Sequence, residues 1–180
     1  MRQTILTVTL LIQAFFLLAQ DQAAELERAL FNLPDVSFQR LPDLNGYLQY
    51  DLRVRQPLDH QDPSKGYFYQ QVRLTHHGFD RPIVMCTQGY QINLGKNEIE
   101  AILDANYLNI EHRFFGKSVP DSIQWQYLTL EQVTADLHHI NQLFRAVYSG
   151  KWISTHRFTP CRTSIRAATT AAAASSLAPW

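Results

Sequence analysis

The alternation of apolar and polar residues first becomes regular at 48–57. There Leu48, Tyr50, Leu52 and Val54 interleave with Gln49, Asp51, Arg53 and Arg55, and Pro57 closes the run. That period of two predicts a half-buried strand. Residues 58–66 carry turn chemistry (Asp59, Asp62-Pro63, Ser64, Gly66), and 67–75 predict a second strand, so the two form an antiparallel hairpin with a long loop. The texture then changes. Ile83-Val84-Met85-Cys86-Thr87 is a short continuous apolar run, as in a strand covered on both faces, and Gln88-Gly89-Tyr90 breaks it.

Residues 96–103 predict a short helix with Ile99, Ile102 and Leu103 on its inner side. Asn106–Ile110 predicts the next strand, ending at Glu111-His112-Arg113. The strongest helical signal lies over 128–148, where Leu130, Val133, Leu137, Ile140, Phe144 and Val147 recur at spacings of three or four. Thr129 can cap it with Gln132 as a capping-box partner, and Gly150 ends it. A further strand starts at Lys151, and residues 25–33 predict a short amphipathic helix before Pro34. Hairpin, strand, helix, strand, helix, strand is an α/β pattern: an antiparallel hairpin leading into a mixed, mostly parallel sheet.

Composition adds a compartment and removes some partners. Arg2 precedes an apolar run from Ile5 to Ala19, followed by small and polar residues, which is the layout of a secretory signal peptide cleaved near Ala19 or Ala24. The other reading, a membrane anchor, needs roughly 20 apolar residues, more than this run holds. Export therefore means secreted or periplasmic, with no stable membrane span after cleavage. Sixteen basic and sixteen acidic residues balance, which argues against nucleic acid as a partner. Of the two cysteines, Cys86 lies in an apolar run and packs as a small hydrophobe, so no disulfide framework is implied. His138-His139 point about 100° apart on a helix and do not make a zinc pair, and His76-His77 fall in a turn without a ligand set. No metal site is expected.

Three segments carry a resemblance: Gln88-Gly89-Tyr90 after one strand, Glu111-His112-Arg113-Phe114-Phe115-Gly116-Lys117-Ser118-Val119-Pro120 after the next, and Tyr127–Gln132 opening the long helix with Ala135-Asp136. Together they resemble secreted serine exopeptidases of the tripeptidyl aminopeptidase type, related to the prolyl carboxypeptidase and dipeptidyl peptidase II group. The resemblance spans about Gly46 to Thr155 and implies the N-terminal part of an α/β-hydrolase fold, peptide substrates and no cofactor. It also implies a G-x-S-x-G nucleophile elbow after the strand at Lys151, with the acid and then the histidine further on. No G-x-S-x-G occurs among the seven glycines, and none follows Gly150. Ser154 and Ser164 lack the glycine frame, and the upstream histidines fall before the place of the family's triad.

The resemblance implies roles for a few residues. Gly89 lets the backbone approach a substrate, and the Tyr90 N–H is the oxyanion-hole donor. Gln88 stands where relatives often carry an acid, which bears on recognition of a substrate's amino end. Glu111, His112 and Arg113 form a charged cluster at a strand's carboxyl end, either on the substrate side or as a structural network with Arg113 paired to Glu111 or Asp136. The domain plan is a signal peptide over 1–24, a partial peptidase domain over 25–155, and a low-complexity tail over 156–180. That tail is rich in Ala, Thr and Ser, free of acids, and reads as a frame change or faulty join near Thr155 rather than a natural continuation. The chain is thus expected to be an incomplete, catalytically incompetent hydrolase. A non-catalytic binding module on the same half-sheet, or a lipase or esterase, remain alternatives.

Overall fold

The structure, a computed structural model, describes residues 22–89, Ile92 and 97–157. Helix α1 occupies 22–31. It is followed by β1 (Val36–Leu44), β2 (Tyr47–Pro57), β3 (Tyr67–His76), β4 (Ile83–Gln88), α2 (Glu98–Leu103), β5 (Asn106–Ile110), α3 (Leu130–Arg145) and β6 (Trp152–Arg157). The strands form one six-stranded sheet in the order β1-β2-β3-β5-β4-β6. The α/β expectation holds, and β2 and β3 pair as the antiparallel hairpin read from the alternation, Leu52 opposite Val72.

The expectation of a mostly parallel sheet does not hold. Pairings β1–β2, β2–β3 and β3–β5 are antiparallel, and only β5–β4 and β4–β6 are parallel. The unforeseen element is β1, whose residues are intermediate or exposed throughout and give no clean alternation. Its turn was legible nonetheless. Asn45 and Gly46 both have positive φ (53° and 85°), the twist that joins two antiparallel strands in a two-residue loop, and Asn-Gly is the strongest short signal for it.

Side chains alternate across the sheet, so each strand serves two layers. On one face Tyr50, Leu52, Val54, Val72, Leu74, Met85, Leu108 and Ile110 pack with Leu26 and Leu30 of α1 and with Ile140, Phe144 and Tyr148 at the α3 end. The opposite face carries a smaller cluster of Val84, Cys86, Ala105 and Tyr107, against which Ile99 of α2 and Ile153 of β6 are packed. Cys86 is fully buried, as its apolar run implied. Of the three apolar residues assigned to the inner side of α2, only Ile99 meets the sheet. Ile102 is 80% exposed and Leu103 is exposed too, so α2 lies on the sheet by one edge.

Helix α3 starts where the cap placed it: Thr129 accepts a hydrogen bond from the Gln132 N–H at 3.3 Å. The reciprocal half of the box is absent. The Gln132 side chain instead donates to Asp59 and accepts from the His60 N–H. The buried stripe is rotated from the expected one, running Gln132, Asp136, Ile140, Leu143, Phe144, while Leu130 is 81% exposed. Hydrophobic spacing could not show this, because the first two turns of α3 face a buried cation and its loops rather than an apolar layer. The helix also stops at Arg145, five residues before Gly150, where Val147 and Tyr148 N–H groups close on the Phe144 carbonyl. Thr129→Ala should therefore lower the stability by about 1 kcal/mol. Leu130→Ala should change it by less than about 0.5 kcal/mol. Urea midpoints in the reverse order would mean that α3 turns Leu130 inward.

Candidate active site

The connection from β4 through α2 places β5 on one side of β4, and the connection from β5 through α3 returns past β4 to β6. Right-handed crossovers in opposite directions put their helices on opposite faces, which is what the two clusters show. The strand order therefore reverses at the carboxyl ends of β4 and β6, the place where open α/β sheets bind ligands. Parallel pairing sets Thr87 beside His156 and Gln88 beside Arg157 at that edge.

Gln88 and Gly89 sit at this point, and Tyr90 lies outside the described residues. A Cβ built on Gly89 meets nothing within 4 Å, so no neighbour among the described residues calls for glycine there. The Gln88 side chain is fully buried, Nε2 lies 3.7 Å from Cys86 Sγ, and Oε1 is a buried acceptor without a hydrogen bond. Position 88 falls on the inward-facing phase of a buried strand end, which the break in the apolar run concealed.

The Glu111–Pro120 loop is built from the inside out. The Glu111 carboxylate is buried and accepts from the Lys117 N–H and the Ser118 hydroxyl, each at 2.8 Å. Ser118 Oγ in turn accepts from the Gln71 N–H of β3 at 2.9 Å. This clasp forces two left-handed residues, Phe114 (φ 67°) and Gly116 (φ 54°). Left-handed φ in an aromatic residue is unusual, and here the Phe114 N–H is held by the Ser118 carbonyl at 2.8 Å while its ring is buried with Leu58 and Phe68.

Arg113 is the largest fully buried side chain among the described residues. It is paired with Asp136 and not with Glu111. Nε donates to Asp136 Oδ2 at 2.7 Å and Nη2 to Oδ1 at 2.9 Å. The remaining donors reach the carbonyls of Pro57, Leu58 and Tyr127 at 2.7–3.1 Å. The guanidinium lies 5.3 Å from the ring centroids of both Phe68 and Phe114. Asp136 Oδ1 also meets His60 Nε2 at 2.7 Å, so this nitrogen carries the proton. Of the two roles open for the charged cluster, Glu111 and Arg113 thus have structural partners. His112 is half-buried, and its Nδ1, 3.0 Å from the Arg113 carbonyl, must be the protonated nitrogen, which leaves Nε2 as the acceptor.

Sequence reasoning missed a second polar chain beside this one. His139 donates from Nδ1 to Gln56 Oε1, Gln56 donates to Gln70 Oε1 and to the Asp136 carbonyl, and Gln70 donates to the Glu111 carbonyl at 2.7 Å. Its only signal was Gln56 and Gln70 at apolar phases of their strands. His138 is exposed and His139 half-buried, as their 100° separation implied. His76 is the buried last residue of β3 and not part of a turn. Ser154 is exposed in the middle of β6, opposite Met85, and Ser164 lies outside the described residues. Among the described residues no group of three His, Cys, Asp or Glu is placed to hold a metal, and no helix is long and apolar enough to cross a membrane.

A mixed six-stranded sheet with helices packed on both faces defines an α/β protein. The sequence family described as PS-10 peptidase S37 matches residues 19–168, and this chain belongs to that family. It is 34% identical over 134 residues to the prolyl tri/tetrapeptidyl aminopeptidase of Streptomyces mobaraensis, covering 73% of this chain and 28% of that protein. The chain therefore spans little more than a quarter of that relative's length. Acetyl xylan esterase 1 from a Thermoanaerobacterium species aligns with a TM-score of 0.32 at 17% identity, over 71% of this chain and 42% of that one, a likeness too slight to carry an argument.

The loop chemistry makes a direct prediction. A Cβ at Gly116 would fall on the Glu111 carboxylate, and the left-handed φ adds strain. Gly116→Ala should cost about 2–3 kcal/mol of folding free energy, from the broken clasp and the φ penalty together. A urea midpoint equal to that of the unmutated chain would show that the clasp does not hold the loop.

Proposed function

We propose that this chain forms the N-terminal, oxyanion-side part of an exported serine aminopeptidase on an α/β-hydrolase sheet, which releases short peptides from substrate N termini. The observation that carries the reading is the parallel pairing of β4 with β6, whose carboxyl ends lie side by side at the reversal of strand order. In such a site a serine on a sharp turn after β6 attacks the scissile carbonyl, and N–H groups after β4 receive the oxyanion. Gly89, at a position where the fold leaves room for a side chain, keeps that approach open. Tyr90 supplies the N–H, and His112, with Nε2 as an acceptor, borders the same edge. Membership of a peptidase family and the aminopeptidase named as a relative give the substrate class.

The sequence has no G-x-S-x-G, so the 180-residue chain is expected to be inactive alone. Export follows from the Ile5–Ala19 run, and cleavage at Ala19 suits the fold better than cleavage at Ala24, because Ala23 is buried against the core. The test joins residues 1–157 to the C-terminal part of the Streptomyces mobaraensis enzyme. The chimera should react with a fluorophosphonate and release tripeptides from a chromogenic substrate, whereas the 180-residue chain should not be labelled. Gly89→Val in the chimera should lower kcat by about 100-fold, the scale of one lost oxyanion contact. A folded chimera that reacts with the fluorophosphonate but is indifferent to Gly89→Val would refute the assignment of the β4 end, and labelling of Ser154 or Ser164 in the 180-residue chain would refute its inactivity.

A further inference from the structure

His76 ends β3 and His77 follows it, and the two identical side chains meet opposite surroundings. His76 enters the larger core, with Nδ1 2.8 Å from the Tyr148 hydroxyl, and burial, followed by the neighbouring His77, pushes its pKa down to about 4. His77 faces α2. Its Nδ1 lies 2.7 Å from Asp104 Oδ1, its Nε2 lies 3.3 Å from Glu100 Oε1, and its side chain is only 5% exposed. The Tyr47 ring stacks on it at 3.6 Å. Carboxylate oxygens only accept, so both contacts are hydrogen bonds only when both ring nitrogens carry protons.

Among the described residues α2 has few other ties: the helix has no buried residue, Ile99 packs against the sheet cluster, and the N-cap Asn97 donates to the Tyr107 hydroxyl at 3.3 Å. Asp104 is its left-handed C-cap and Glu100 lies in its first turn, so one imidazolium grips both ends. The other polar groups around the ring are Tyr47, whose hydroxyl donates to Asp104 at 3.2 Å, and Arg81, 3.1 Å from Asp104 Oδ2. Both hold the Asp104 end whatever the state of His77. At the Glu100 end a neutral ring presents a lone pair to a carboxylate, and two acceptors face each other.

We propose that His77 is a proton-operated latch: as an imidazolium it ties α2 to β3, and loss of the proton releases the Glu100 end of the helix. The latch stands without any assumption about catalysis. Burial lowers the His77 pKa, but Glu100 and then Asp104 outweigh it and hold the value above 6.5. The latch therefore contributes fully below pH 6.5 and is lost as pH rises through the folded-state pKa. His76 acts in the opposite sense, since its lowered pKa removes stability as pH falls below 6.5 towards 4. Global stability mixes the two, so the latch must be read locally.

The experiment follows the His77 ring by 1H–15N NMR in the full chain while amide exchange, corrected for intrinsic rates, is measured between pH 5.5 and 9. Protection of the Ala101–Leu103 amides should fall about tenfold as His77 titrates, while that of Ile140 in α3 stays constant. His77→Gln, which can donate to only one carboxylate, should show the low protection at every pH. Glu100→Gln should lower the His77 pKa and remove the step, and serves equally if the first variant does not fold. Flat α2 protection across the His77 titration, or a step that survives in a folded variant, would overturn the proposal.

Discussion

A single buried cation sets the geometry of this half of the sheet. Arg113 has no solvent contact, and its donors go to Asp136 on α3 and to backbone carbonyls at the end of β2, in the following loop and just ahead of α3. Burying an unpaired charge costs several kcal/mol, so such a group is tolerated only when charge and donors are all met. Meeting them requires four chain segments to converge on one guanidinium, and the fork of arginine is the side chain that can do it. Phe68 and Phe114 then flank the guanidinium, which joins this polar centre to its own small apolar cluster.

Several features that look separate follow from that demand. The first turns of α3 carry Gln132 and Asp136 inward because they face Arg113 and the Asp59–His60 loop, and only from Ile140 onward does the helix meet an apolar layer. The Glu111 clasp, with left-handed Phe114 and Gly116, brings the chain back after Arg113 has gone inward. The result is a loop at the carboxyl end of β5 whose backbone is held at both ends. Its half-buried His112 is thereby held to the Arg113 carbonyl.

The sequence made the apolar framework readable and the polar framework only partly so. Strands β2 to β6 and the start of α3 were visible because each rests on a local rule: alternation, a continuous apolar run, a threonine cap. β1 was missed because its residues lie at the surface, although Asn45-Gly46 marked its turn. The rotation of α3 and the burial of Gln88 were not readable, since hydrophobic spacing assigns polar residues to water and these are met by polar groups inside, or, for Gln88 Oε1, by none. Asp136 was one of two partners the charge pattern offered Arg113, beside Glu111, whereas the Gln56–Gln70–His139 chain needs residues far apart in sequence to be seen together.

The dependence of the structure on Arg113 is tested most directly by a double-mutant cycle with Arg113→Leu and Asp136→Leu, read from urea unfolding of the full chain. Asp136→Leu alone strands a buried guanidinium and should cost about 3–5 kcal/mol. Arg113→Leu should cost at least as much, because it also orphans three carbonyls, and adding Asp136→Leu to it should cost almost nothing more. Single costs that simply add would show that the two residues act independently, and that the fold does not rest on their pairing.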